Sequence, residues 1–99
     1  MTIIITSNVR IRFIQIYEYY CDKNLPEVAI RIRESIEKRM LTLERFPRIG
    51  PIEEQLSDLG LGHRYLVEGN YKIIYRIDGE NIYVTDIFHT SQDPNKMKP

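Results

Sequence analysis

Residues 2–6, Thr-Ile-Ile-Ile-Thr, are β-branched throughout. The run is too short for a helix and predicts an opening strand, buried on both faces or nearly so. Beyond it the apolar period lengthens. Val9, Phe13, Ile16, Tyr17 and Tyr20 lie on one face of an α-helix over about 8–23, with Ser7 or Asn8 as N-cap. Asn24-Leu25-Pro26-Glu27 then restarts a helix. Asn24 is the expected N-cap, Pro26 stands early, where its missing N–H costs nothing, and Glu27 stands where a capping-box partner would. Ala29, Ile32, Ile36, Met40 and Leu43 stripe this second helix over about 25–45, and Arg31, Arg33, Glu34, Glu37 and Lys38 fill its other face. Phe46-Pro47 ends it, because the residue before proline is pushed out of the α region.

The stretch 47–62 is rich in glycine and proline and predicts an irregular connection with at most a short helical turn. After it the period becomes two. His63–Val67 reads as a strand and Gly69-Asn70 as a tight turn. Over 71–77, Lys72 and Arg76 alternate with Tyr71, Ile73, Tyr75 and Ile77. Asp78-Gly79 opens a hairpin connection and Asn81–His89 forms the last strand. The predicted class is α+β, in the order β-α-α-β-β-β. A helical hairpin covers one face of a small antiparallel sheet, the opening strand joins that sheet, and the other face stays free. Residues 1–99 are expected to form one domain, with 90–99 a loose polar tail.

The chain has 99 residues, of which 42% are hydrophobic and 28% charged, as in a soluble globular protein. Apolar runs are far shorter than the ~20 residues a membrane span needs. The N-terminus lacks the pattern of a signal peptide, so a cytoplasmic location is expected. Cys21 stands alone, so neither an internal disulfide nor a cysteine zinc site is expected. No glycine-rich phosphate loop or HExxH pattern occurs, and no metal or cofactor is expected. Lys and Arg total 14, as do Asp and Glu, giving a net charge of +0. Proteins that bind nucleic-acid phosphates usually carry a basic excess, so strong direct DNA or RNA binding is not expected.

Three segments carry a family resemblance. Arg64-Tyr65-Leu66-Val67-Glu68-Gly69-Asn70-Tyr71-Lys72-Ile73-Ile74-Tyr75-Arg76-Ile77 resembles an R-x-L-V-x-G-x-Y-R-I-I-Y-R-I core. Ile87-Phe88-His89-Thr90-Ser91-Gln92-Asp93-Pro94 is similar to a last strand with an Asp/Pro tail, and Phe46-Pro47-Arg48-Ile49-Gly50 to a P-R-x-G after the second helix. Together they resemble the RelE/ParE family of bacterial type II (plasmid-stabilisation) toxins. The resemblance implies a growth-arresting toxin neutralised by a cognate antitoxin. RelE-like members cut mRNA on the ribosome. ParE-like members act on DNA gyrase by protein–protein contact.

Cleaving RNA through its 2′-hydroxyl needs a base, a cation on the phosphate and an acid for the leaving oxygen. The resemblance would offer Lys72, Arg64 and His89, with His63 near Arg64. Lys72 replaces the family's arginine and loses its bidentate fork. The segment His89-Thr90-Ser91-Gln92 contains no arginine. Each residue also has a plain structural role. Lys72 and Arg76 are solvated strand charges, Arg64 pairs with Glu68 or a helix carboxylate, and His63 is solvated. His89 is a satisfied polar residue, Tyr65, Tyr71, Tyr75 and Tyr83 pack, Tyr19 faces outward, and Cys21 is a small buried hydrophobe. Neutral charge and the missing C-terminal cation favour the ParE-like branch, for which no catalytic residue is named. A RelE-like ribosome-dependent endoribonuclease and a degenerate non-toxic homologue are the alternatives. Arg64, Lys72, Arg76 and His89 are then target-facing candidates. Among the surplus apolar residues of the irregular stretch, Ile52, Leu56, Leu59 and Leu61 are antitoxin-contact candidates.

Overall fold

The structure, a computed structural model, describes residues 1–99. Its strands are β1 (Thr2–Ile5), β2 (Arg64–Glu68), β3 (Tyr71–Asp78) and β4 (Asn81–His89), and its long helices are α1 (Ser7–Asp22) and α2 (Pro26–Arg45). Short 3₁₀ helices lie at Glu54–Leu59 and Pro94–Lys96. The element order is the expected one. The sheet order is β1-β4-β3-β2.

The sheet is mixed, not purely antiparallel. β2, β3 and β4 form the meander, but β1 runs parallel to β4, from Thr2 opposite Asn81 to Ile5 opposite Val84. The helices explain the direction. α1 continues onward from β1 beside the second half of β4, with Asn8 reaching Thr85 and Arg12 reaching Asp86. α2 returns, so that Met40 and Glu44 lie beside Met1–Ile3. The chain therefore enters β2 from the end where β1 began, and the third strand of a meander started there runs parallel to β1.

Both expected N-caps differ in detail. Thr6 precedes α1 and makes no side-chain cap bond. Asn8 is spent on the sheet instead, its amide donating to Thr85 O at 2.9 Å and Asp86 Oδ1 at 3.1 Å. Leu25, not Asn24, precedes α2, with Pro26 at the first helical position. Asn24 has φ 58°. Its N–H donates to Cys21 O and that of Leu25 to Tyr20 O. That pair of bonds is a Schellman motif, so Asn24 closes α1 rather than opening α2.

The main core lies between the helices and the sheet. It joins Val9 and Phe13 to Ile36, Met40 and Leu43, over Leu66, Ile73, Tyr75, Ile82, Val84 and Ile87. Tyr17, expected on this face, is 49% exposed. Cys21 and the isoleucines of the edge strand β1 are half-buried rather than buried.

The second face of the sheet is covered, not free. Ile74 and Phe88 pack there with Leu56 from the first 3₁₀ helix and Met97 from the tail. The tail, expected to be loose, is docked. Lys98 N donates to Asp86 Oδ2 at 2.9 Å, Thr85 Oγ1 donates to Lys98 O at 3.2 Å, and Gln55 Nε2 donates to Asn95 Oδ1 at 3.2 Å. The reason lies in β3, where Ile73, Ile74 and Tyr75 are all buried. Three consecutive apolar residues need cover on both faces of a sheet. A register shift between Ile74 and Tyr75 makes Thr85 an extra residue of β4, a β-bulge.

Candidate functional site

Residues directly opposite one another on neighbouring strands share a face, and successive residues alternate. Lys72 lies opposite Phe88, and Arg76 opposite Tyr83, both on the second face. His89 lies opposite Tyr71 and Arg64 opposite Tyr75, both on the helix face. The residues offered for RNA cleavage are thus split across the sheet. Arg64 and His89 are also apart along β3, since one faces Tyr75 and the other Tyr71.

Each is also engaged. Lys72 is no free strand charge. Its Nζ lies 2.9 Å from Glu53 Oε2 and 4.2 Å from the centre of the Tyr65 ring. The Glu53 side chain is only 5% exposed, and its other oxygen accepts from Gln55 N. Arg64 pairs with no carboxylate. Its guanidinium donates to Gly50 O at 2.7 Å and Arg48 O at 3.4 Å, fastening the 48–50 segment to the sheet. Arg76 stacks over Tyr83 at 4.7 Å and approaches Asp78 at 3.8 Å. His89 Nδ1 accepts from Ser91 N at 3.1 Å, so the neutral ring carries its proton on Nε2. The same ring meets Tyr71 edge-on at 5.1 Å.

His63 was expected in solvent but is 1% exposed. Burial, with the nearby Arg76 cation, holds its pKa below the ordinary histidine value. Tyr75, fully buried, has its hydroxyl against Gly50 N at 3.0 Å. Burial raises the pKa of Tyr75 and of Tyr71. Sequence reasoning missed two buried carboxylates: Glu53, which holds Lys72 and Gln55 N, and Asp86, which holds Asn8, Arg12 and Lys98 N. Neither stands in a pattern that announces burial.

The apolar candidates divide. Leu56 is 8% exposed and belongs to the second core. Ile49, Ile52, Leu59 and Leu61 are exposed. A further set was missed along the helical hairpin, where Ile14, Tyr17 and Ile30 are exposed beside a groove floored by Phe13 and Ala29. The signal was present in apolar residues lying off the buried stripe of each helix.

The family described as ParE toxin of type II toxin-antitoxin system, parDE, matches residues 3–94. The chain belongs to the ParE toxin family. Among solved structures, the chromosomal ParDE toxin–antitoxin system from P. aeruginosa is similar, with a TM-score of 0.74 over 92% of this chain and 97% of that one. Identity is 20%, so the likeness is one of fold. No curated protein sequence matches significantly. No helix of this ParE-family toxin is long and apolar enough to cross a membrane.

Within this ParE fold, the Lys72–Glu53 pair acts as a fastener between β3 and the irregular connection. Removing one partner of such a pair strands the other charge, whereas removing both does not. Lys72→Met should destabilise the toxin by about 2–4 kcal/mol. The double variant Lys72→Met/Glu53→Gln should recover more than half of that loss. Urea-denaturation midpoints of the two variants check this.

Proposed function

We propose that this ParE-family toxin arrests growth by protein–protein contact with DNA gyrase, and that a cognate antitoxin holds it inactive. The observation that carries the reading is the split of Lys72 from Arg64 and His89 across the sheet. Attack by a 2′-hydroxyl needs its base, cation and acid around one phosphate. Here those groups lie on two faces and are tied to Glu53, Gly50 O and Ser91. The net charge of +0 points the same way, because work inside a ribosome favours a basic surplus. A gyrase poison needs no side-chain chemistry of its own. Arg64, Lys72, Arg76 and His89 are kept as target-facing candidates, and the site of action is the cytoplasm.

The test pairs two assays of the purified toxin. With gyrase and supercoiled plasmid, cleaved DNA should accumulate. In cell-free translation, primer extension along the message should show no codon-positioned cuts. His89→Ala should still arrest growth, because no bond-making step depends on its ring. Codon-positioned cuts, lost in His89→Ala, would overturn the reading. Silence in both assays would mark an inert homologue.

The antitoxin surface is proposed to include Ile52, Leu59 and Leu61, and the helical hairpin offers Ile14, Tyr17 and Ile30 as a separate apolar patch. Exposed apolar patches mark protein interfaces. Leu59→Glu or Leu61→Glu should abolish co-purification with the antitoxin while leaving the circular dichroism spectrum unchanged. An intact complex would reject this assignment.

A further inference from the structure

His63 stands at the seam between the irregular connection and the sheet. Its carbonyl accepts from Glu53 N at 2.8 Å, Tyr65 N donates to Pro51 O at 3.1 Å, and Ile52 bridges to Arg64. These bonds lay residues 51–53 along the outer edge of β2. The ring of His63 is 1% exposed, and no protein group hydrogen-bonds either ring nitrogen. Arg64 lies opposite Tyr75, so His63 falls beside Arg76, one step along the same ladder. The charges around it offer a proton nothing. Arg76 of β3 is a cation, and its approach to Asp78 is 3.8 Å. Glu53 of the connection has its carboxylate taken by Lys72 and Gln55 N. Tyr83 of β4 lies under the Arg76 guanidinium.

We propose that His63 is an acid-sensitive latch: protonation of its ring detaches residues 51–62 from the sheet edge while β3 and β4 stay paired. An imidazolium in this position is buried, without an acceptor and next to a like charge. It reaches solvent only when the covering segment lifts. The lifted state takes up the proton near pH 6.5, the ordinary histidine value, whereas the closed state resists it. The open state therefore binds more protons, and closure weakens as pH falls. The contribution of His63 to closure is complete above about pH 6.5 and is lost below it. With the closed ring neutral, opening increases about tenfold between pH 7.5 and pH 5.5.

Hydrogen exchange of the full chain followed by mass spectrometry tests this, with rates corrected for the intrinsic pH dependence of exchange. Amides of 51–62 should exchange about tenfold faster at pH 5.5 than at pH 7.5, those of β3 and β4 should hold, and His63→Leu should remove the difference. An unchanged segment overturns the proposal. So does an equal acid response in His63→Leu, or a matching loss of protection in β3 and β4. Should His63→Leu fail to fold, the His63 ring resonance of the unmodified protein decides. Protonation in step with exchange of 51–62 supports the latch, and protonation near pH 6.5 with that segment still protected rejects it.

Discussion

Asp86→Ala should cost this toxin about 3–5 kcal/mol of stability, measured as a fall in the guanidinium unfolding midpoint. Asp86 has 0% exposure at the bulge of β4. Its Oδ1 accepts from Arg12 Nε at 2.8 Å and from Asn8 Nδ2 at 3.1 Å, and its Oδ2 from Lys98 N at 2.9 Å. One carboxylate thus joins the first helix, the last strand and the C-terminal tail. Alanine leaves the Arg12 guanidinium, 18% exposed, without its anion, and releases the tail bond. Asp86→Asn keeps the shape and one accepting oxygen, and should lose roughly half as much. A domain of this kind holds only about 5–15 kcal/mol in all, so Asp86→Ala puts the folded state at risk at growth temperature. Limited proteolysis should then cut first beyond Thr90. An Asp86→Ala protein as stable as the parent would show that the carboxylate is not the junction described.

Gly50→Ala should be nearly as damaging, at about 2–4 kcal/mol, for a reason of space alone. A Cβ on Gly50 would stand 2.3 Å from Tyr65 O and 2.8 Å from the Tyr75 hydroxyl. Both neighbours are fixed, one in the backbone of β2 and the other in the core. The segment must back away, giving up the bond from Gly50 N to Tyr75 and that from Arg64 to Gly50 O. Gly62→Ala is the informative control. Nothing lies within 4 Å of its added Cβ, and the penalty comes from a φ of +72°, which should cost about 1 kcal/mol. Tyr75→Phe should also cost about 1 kcal/mol, the value of the hydroxyl bond without the clash. Thermal melts of the three variants should rank Gly50→Ala well below the others.

The element order was readable because it follows from local periods: three to four residues in the helices, two in the meander. What stayed hidden depends on residues far apart in the chain. Asn24 carries an N-cap signature, yet the end of α1 claims it in a left-handed turn. Asn8 is drawn off its local role by Thr85 and Asp86. Met97 lies in a polar tail with no apolar period, and its burial is explained only by the distant Leu56, Ile74 and Phe88. Of the candidate site, the residue types were legible but their pairing was not. A strand pattern says that Lys72 points away from Ile73. It does not say that Glu53 waits there, or that His89 faces the helices.

The pairing of β1 with β4 sets a condition on synthesis. Thr2 finds its neighbour only in Asn81, and Lys98 completes the junction at Asp86. A chain emerging from the ribosome can form its two helices early, but β4, one of the two inner strands, is the last strand to arrive. Long-range pairing of this kind waits for the whole chain. A chain that stops short of Asn81 would therefore leave β1 without its partner strand, and one that stops short of Lys98 would leave the Asp86 junction open.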